Sequence, residues 1–358
     1  MKALVAAGGR ATRLRPITTT TNKHLIPLAG RPMIFLALEK LTEAGVRDIA
    51  ININPGDRSI AEAVGDGSRW GARVSYLEQK GGALGVAHVA ANAREFLGDD
   101  PFVFYLGDNI ILGSIRHFLE RFEKENLDCL LALARVGDPE RFGVPVLEGD
   151  RIVRVEEKPA DPKGNLVQTG IYLYNRRFFE AFQNITPSAR GEYEISDVNT
   201  WLIQNGAKVG WQEITGWWKD TGKPEDLLEG NQLILNEMPA EEMKVCGEVH
   251  RNARLQGKVA VGAGTRIGEN VLVRGPVTIG ENCLIENSYI GPFTSIGKGV
   301  KIKDTEIEHS IIMDNVDVCC GERIVDSIIG VNAKIVSSLA SLPLGHRMVV
   351  GDNSMVEI

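Results

Sequence analysis

A six-residue period in the last third of the chain restricts its fold more than any other feature. Leu255, Val261, Ile267, Val273, Ile279 and Ile285 are spaced by six without exception, and glycine follows the aliphatic at Gly262, Gly268 and Gly280. After a slip of one residue the pattern resumes at Ile290-Gly291, Ile296-Gly297 and Ile302, returns at Ile312, Val318 and Ile324, and closes with Ile329-Gly330 and Ile335. Helical periodicity cannot hold a strict six, and neither can an array of plain hairpins. The hexapeptide repeat predicts a parallel β-helix, in which each aliphatic points into a prism and stacks on its equivalent one coil below. The glycines are expected at the tight corners. One coil cannot bury its own apolar face, so about four to five must stack, at three hexapeptides each.

The preceding part reads differently. Strands are predicted at Leu4–Ala7, Asp48–Ile53, Val74–Leu77 and Phe102–Leu106, and helices at Pro32–Ala44, Ser59–Val64 and Val86–Phe96. A last helix is expected over Leu233–Met243, with Pro239 as a break. Such alternation predicts βαβ units on a mostly parallel sheet, whose ligands bind outside the carboxyl ends of the strands. Gly8-Gly9 and Gly107-Asp108 both sit at such ends.

The first of these ends is rich in cations: Arg10, Arg13 and Arg15 follow Gly8-Gly9, and Lys23 comes shortly after. Glycines let backbone N–H groups approach a ligand, and arginines supply fixed positive charge, so the segment suits a polyphosphate. It is neither a Gly-x-Gly-x-x-Gly dinucleotide fingerprint nor a P-loop, which needs a Gly-Lys-Ser/Thr. It is not a signal peptide either, because the arginines stand where a cleavage site would be.

Composition narrows the function classes. With 358 residues the chain has room for two domains. Net charge is −7, so the molecule is not built to coat nucleic acid, and positive charge for phosphate must be local. No apolar run approaches the ~18 residues of a membrane span. Cys129, Cys246, Cys283, Cys319 and Cys320 are odd in number and lack Cys-x-x-Cys spacing, which speaks against disulfides or zinc and for a reducing cytoplasm.

Several short motifs, in this order, carry a resemblance: Gly8-Gly9-Arg10-Ala11-Thr12-Arg13-Leu14-Arg15-Pro16, Leu106-Gly107-Asp108-Asn109, Phe142-Gly143-Val144, Glu156-Glu157-Lys158-Pro159, Gly191–Asp197 and Trp217-Trp218-Lys219-Asp220-Thr221-Gly222. Together with the repeat they resemble the sugar-1-phosphate nucleotidylyltransferases, and among them the long-form glucose-1-phosphate thymidylyltransferases, over nearly the whole chain. The resemblance implies an α/β, Rossmann-like nucleotidyltransferase domain with a mostly parallel mixed sheet over residues 1–238, a linker at 239–250 and a left-handed parallel β-helix over 251–358.

It also implies roles. Asp108 and Asp220 would be co-ligands of Mg²⁺, which prefers one or two carboxylates plus phosphate oxygens and waters. Arg13 would grip the leaving pyrophosphate and Lys23 the α-phosphate, with Ala7, Gly8, Gly9 and Thr12 along the nucleotide. Lys158 would contact the sugar phosphate and Glu157 the sugar hydroxyls, with Gly143 and Gly170 allowing close backbone approach. Gln79, whose amide both donates and accepts, would read the base edge together with Gly85. For Arg15 and Arg31 a solvated surface charge is the preferred reading. The implied partners are a nucleoside triphosphate, dTTP ahead of UTP, and a sugar 1-phosphate, glucose 1-phosphate first, with no nucleic acid and no membrane.

Three positions depart from the family pattern. Ala11 replaces a glycine and is strained by about 1 kcal/mol or more if its φ is positive. Asn22-Lys23-His24 replaces Pro-Lys-Gln, and Leu84 and Val86 flank Gly85 inexactly. Two other functions remain open at this stage. One is a uridylyltransferase with an acetyltransferase in the β-helix, where His309 is the one tempting base; the repeat is expected to end near Ile335, with no long tail to complete an acyl-CoA site. The other is a non-catalytic regulatory or scaffold subunit, which Ala11 supports best. The β-helix is expected to form a homo-oligomer through outward apolar residues such as Val316.

Overall fold

The four predicted strands join three others in one seven-stranded sheet, ordered Val209–Glu213, Cys129–Arg135, Leu166–Tyr174, Phe102–Leu106, Lys2–Ala6, Asp48–Ile53, Arg73–Glu78. The computed structural model describes residues 1–9, 11–337 and 350–357, so Arg10 lies outside the described residues. Neighbouring strands are parallel except around Leu166–Tyr174, which is antiparallel to both of its partners. From Lys2–Ala6 the chain builds outward through Asp48–Ile53 to Arg73–Glu78, then crosses back to lay Phe102–Leu106 on the other side. That reversal opens a crevice at the carboxyl ends of Lys2–Ala6 and Phe102–Leu106. Leu4, Phe102, Phe104, Leu131, Tyr174 and Phe178 belong to the buried core beneath it.

Two helices differ from the periodicity. The stretch predicted at Val86–Phe96 divides at Ala93 into Val86–Asn92 and Arg94–Leu97. The last helix runs over Pro224–Glu237 rather than Leu233–Met243. Its start is set by Pro224 at the first position and by the Asp226 carboxylate, which accepts the Lys223 N–H at 2.9 Å. It stops short of Pro239, and only a 3-10 turn, Ala240–Glu242, follows.

The chain divides into two compact units, Met1–Arg10 with Ile34–Asp220, and Ala11–Met33 with Thr221–Ile358. In the second, the left-handed parallel β-helix has sheets of six, five and five strands, all paired in parallel. The six-residue aliphatics form three vertical stacks: Leu255, Val273, Ile290, Ile307 and Ile324; Val261, Ile279, Ile296, Ile312 and Ile329; Ile267, Ile285, Ile302, Val318 and Ile335. Pairing begins before the repeat is legible, at Glu248–Val249.

Two expectations about the β-helix are corrected. The repeat glycines do not make the left-handed corners. A Cβ on Gly262 would lie 2.6 Å from the Gly280 carbonyl carbon, and one on Gly280 would lie 2.5 Å from the Gly297 carbonyl oxygen, so these glycines let coils stack closely. Positive φ falls instead on other glycines, such as Gly264 and Gly299, and on Asn270, Asn282, Asn287, Asp304, His309 and Asn315, mostly residue types whose short polar side chains tolerate it. Val316 does not face outward: it is buried in the prism core, and the exposed apolar side chains include Val249, Leu284, Val325, Val331 and Val336. One outer face of the prism is also buried, at Thr278, Ser295 and Ile311, where helix Pro224–Glu237 packs on strand Thr294–Ile296. Among the described residues no helix is long and apolar enough to cross a membrane.

Candidate active site

In the first unit the glycine turn is held from the neighbouring strand. The Ala7 N–H donates to the Asn52 carbonyl at 2.9 Å, the Gly9 N–H to Asn54 Oδ1 at 2.9 Å, and Asn54 Nδ2 to the Gly9 carbonyl at 3.1 Å. Gly9 has φ +106°, and a Cβ on Gly8 would meet Asn52 Oδ1 at 3.1 Å. Asn52 and Asn54 escaped the sequence reading. Their signal was two amides at the end of an otherwise apolar strand.

Asn52 continues to the residue expected to read the base. Its Nδ2 donates to Gln79 Oε1 at 3.0 Å, while Gln79 Nε2 faces the Gly82 carbonyl at 3.2 Å and His88 Nδ1 at 2.9 Å. The Asn92 amide also points at His88 Nδ1, so this nitrogen accepts and the ring is neutral, in keeping with burial pushing its pKa down. Both amide hydrogens of Gln79 are thereby engaged. It can accept from a base N–H as it stands, and it can donate only by releasing Gly82 or His88. Gly85 (φ +100°) is clamped by Tyr193, whose N–H donates to the Leu84 carbonyl at 2.7 Å and whose carbonyl accepts the Ala87 N–H at 3.1 Å. A Cβ there would lie 2.6 Å from the Tyr193 oxygen.

Strand pairing brings together the segments that carry the two carboxylates. Trp218–Asp220 lies antiparallel to Asn109–Ile111 with Asp220 opposite Asn109, the residue after Asp108. Asn109 fastens this corner: its Nδ2 donates to Asp108 Oδ1 at 3.2 Å, and its Oδ1 accepts Trp218 Nε1 at 2.9 Å. Among the described residues no set of three or more His, Cys, Asp or Glu converges on a metal position. Two carboxylates, all oxygen, fit a hard divalent cation that keeps waters and takes phosphate oxygens. Gly170 (φ +80°) backs the same corner, since a Cβ on it would meet Asn109 Nδ2 at 2.7 Å.

Three of the four residues expected at the sugar, Gly143, Glu157 and Lys158, lie together. Gly143 pairs with Glu157 across a hairpin, and the Lys158 N–H donates to the Phe142 carbonyl at 2.9 Å. Lys158 has φ +44°, a strained conformation for a side-chain-bearing residue, of the kind that gathers at functional sites. Glu157 accepts the buried Ser196 hydroxyl at 2.7 Å and has Lys158 Nζ at 3.2 Å and Arg190 at 3.4 Å. A Cβ on Gly143 would meet Ser196 Oγ and Gln168 Oε1, each at 2.6 Å. Burial, then the nearby Glu194 and Glu157, pushes the Asp197 carboxyl up. Ser196 and Gln168 were not foreseen.

The cationic segment belongs to the second unit. Arg13 and Thr12 lie in the 3-10 turn Thr12–Leu14, which follows Ala11 at φ 41°, ψ 48°. The Ala11 carbonyl accepts the Thr18 hydroxyl at 2.8 Å and the Leu14 N–H at 3.0 Å, which hold the left-handed alanine in place. Lys23 opens the turn Lys23–Leu25. Asn22, where the family pattern has proline, caps that turn: its Oδ1 accepts the His24 N–H at 3.0 Å and faces the buried His24 Nδ1 at 3.0 Å.

Comparison with known proteins agrees with this geometry. The nucleotidyl transferase family model matches residues 2–237. A glucose-1-phosphate thymidylyltransferase of Streptomyces griseus is 42% identical over 100% of this chain and 99% of its own. The low-salt glycan biosynthesis nucleotidyltransferase Agl11 of Haloferax volcanii is 38% identical over 100% of both chains. A solved structure described as a glucose-1-phosphate thymidylyltransferase from Bacillus anthracis, in complex with sucrose, superposes with TM-score 0.63 at 38% identity, covering 67% of this chain and 96% of that one. With a sheet reversal at the glycine turn, strand Trp218–Asp220 paired beside Asp108 and a family match over residues 2–237, the chain belongs to the nucleotidyl transferase family.

Proposed function

We propose that the protein is a glucose-1-phosphate thymidylyltransferase, which joins glucose 1-phosphate to the thymidylyl group of dTTP and forms dTDP-glucose and pyrophosphate. The observation that carries this reading is the pairing of Asp220 opposite Asn109, the residue after Asp108, beside the point where the sheet reverses. Identity of 42% with a full-length thymidylyltransferase supports the choice of substrates.

In the proposed reaction a phosphate oxygen of glucose 1-phosphate attacks the α-phosphorus of dTTP in line. The new P–O bond forms as the bond to the bridging α,β-oxygen breaks, and pyrophosphate departs with that electron pair. The attacking group is already an anion near neutral pH, so no general base is required and catalysis rests on positioning and charge neutralisation. Arg13 takes the departing pyrophosphate, Lys23 the α-phosphate and Lys158 the sugar phosphate. Glu157 orients the sugar hydroxyls beside Gly143 and Gly170. Ala7, Gly8, Gly9 and Thr12 follow the nucleotide, and Gln79 and Gly85 its base. Asp108 and Asp220 would hold Mg²⁺, which draws charge from the phosphate oxygens when bound. Catalysis is assigned to residues 1–238, joined through 239–250 to the β-helix of 251–358, in a cytoplasmic enzyme that assembles with copies of itself.

Pyrophosphate release against a grid of nucleoside triphosphates and sugar 1-phosphates, with Mg²⁺ and with EDTA, tests this. The dTTP and glucose 1-phosphate pair should turn over fastest. Faster turnover with UTP would replace the reading by the uridylyl one, since one methyl in a pocket is worth only about 1–3 kcal/mol. Absence of turnover with every pair would sink catalysis altogether.

A further inference from the structure

A buried side chain, Asn231, links the segment carrying Arg13 and Lys23 to the β-helix. Residues 27–32 form a tight hairpin, with Leu28 opposite Arg31 and the two-residue turn Ala29-Gly30 between them. Both turn residues have positive φ, 48° and 77°. Such a turn suits the twist of a hairpin, but an alanine in it is strained and persists only where its surroundings hold it. Asn231, wholly buried on helix Pro224–Glu237, does so: its Oδ1 accepts the Ala29 N–H at 2.8 Å. Its Nδ2 donates to the carbonyl of Phe293 in the β-helix at 2.9 Å. Phe293 is itself held with φ 63°, and its N–H donates to the Pro276 carbonyl of the neighbouring coil at 2.8 Å.

The hairpin leads back to Lys23 by backbone bonds. The Met33 N–H donates to the Ile26 carbonyl at 3.2 Å, and the Ile26 N–H to the Lys23 carbonyl at 3.1 Å. Lys23, the hairpin, Asn231 and a β-helix coil therefore form one hydrogen-bonded series, in which the Asn231 side chain uses both ends of its amide.

We propose that Asn231 is a positioning residue for triphosphate binding, through which the β-helix sets the backbone that carries Lys23. The proposal rests on the assignment of Lys23 to the triphosphate. Asn231→Ala removes both bonds. Asn231→Asp keeps the acceptor for Ala29 and replaces the donor with an oxygen facing the Phe293 carbonyl. Each full-length variant is assayed for pyrophosphate release with dTTP and glucose 1-phosphate varied in turn, beside its melting curve.

N231A should raise KM for dTTP about tenfold and N231D by less, with KM for glucose 1-phosphate within about twofold of normal in both. If N231A does not fold, N231D alone should show the selective rise. An equal rise in both Michaelis constants, or a lower Tm with unchanged constants, overturns the positioning role. Lys23→Ala separates the two layers. If it leaves dTTP kinetics unchanged, the assignment of Lys23 fails and the proposal with it; if it is impaired while N231D matches the unmodified enzyme, only the role of Asn231 fails.

Discussion

Ser196 Oγ lies 2.7 Å from Glu157 Oε2 and 3.2 Å from the amide of Gln168, and Ser196 and Gln168 are both buried. A hydroxyl has one hydrogen. The shorter contact takes it, so Ser196 donates to the Glu157 carboxylate, and the longer contact to Gln168 Oε1 is the weaker of the two. Ser196, packed against Gln168, thus fixes one carboxylate oxygen of Glu157. Ser196→Ala removes a hydrogen bond to a charged group, worth about 1.5–3 kcal/mol. KM for glucose 1-phosphate should rise about tenfold or more with KM for dTTP unchanged. Steady-state kinetics with each substrate varied decides it, and an unchanged sugar KM would remove Glu157 from sugar binding.

Asp108 and Asp220 should be dispensable for folding and essential for turnover. Asp108→Asn preserves shape and an acceptor for Asn109 while removing the charge that a cation needs. Turnover should fall by at least about 10²–10³ with little change in Tm. EDTA should silence the unmodified enzyme, and added Mg²⁺ should restore it. Near-normal turnover of D108N would end the metal assignment.

Ala11 sits at φ 41° in the cationic segment, so replacing it by glycine should have the opposite sign to an ordinary Ala→Gly change. The left-handed conformation costs a non-glycine residue about 1–2 kcal/mol, against about 0.5–1 kcal/mol for the added freedom of glycine in the unfolded chain. Ala11→Gly should therefore raise stability by up to about 1 kcal/mol in urea unfolding. A loss of that size would mean that the alanine is not strained.

Asp128 gives the first unit a pH-dependent tie. Partial burial pushes its carboxyl up, but the Lys208 N–H and the Asn175 amide, each at 2.7 Å, and Arg177 at 3.2 Å together outweigh burial and hold it below the ordinary carboxylate range. A lowered folded-state pKa contributes stability above the unfolded value, about 3.9, that is lost as pH falls through the folded value. Asp128→Asn should cost about 1–3 kcal/mol at pH 7. The gap to the unmodified protein should shrink as pH drops below about 4, as read by urea unfolding at each pH.

The sequence by itself determined the features that repeat or lie close together along the chain. The six-residue aliphatics stack in register because the coil has the same period, and the strands before Gly8 and Gly107 end where the apolar runs end. Their order in the chain was enough to place Gly8-Gly9 and Asp108 at strand ends. Asn54 on Gly9, Ser196 under Glu157 and Asn231 between Ala29 and Phe293 depend on residues 39 to 202 positions apart, counted along the numbering, and no local pattern encodes such pairs. The tertiary structure also decided which side of a coil each residue takes. Val316 is buried because its position in the coil turns it inward, and the left-handed corners fall on asparagine, aspartate and glycines such as Gly264 and Gly299, while the glycines after the aliphatics sit where coils touch. Periodicity names the spacing of a contact; only the folded chain selects its partner, because burial and hydrogen bonding are settled by which segments meet.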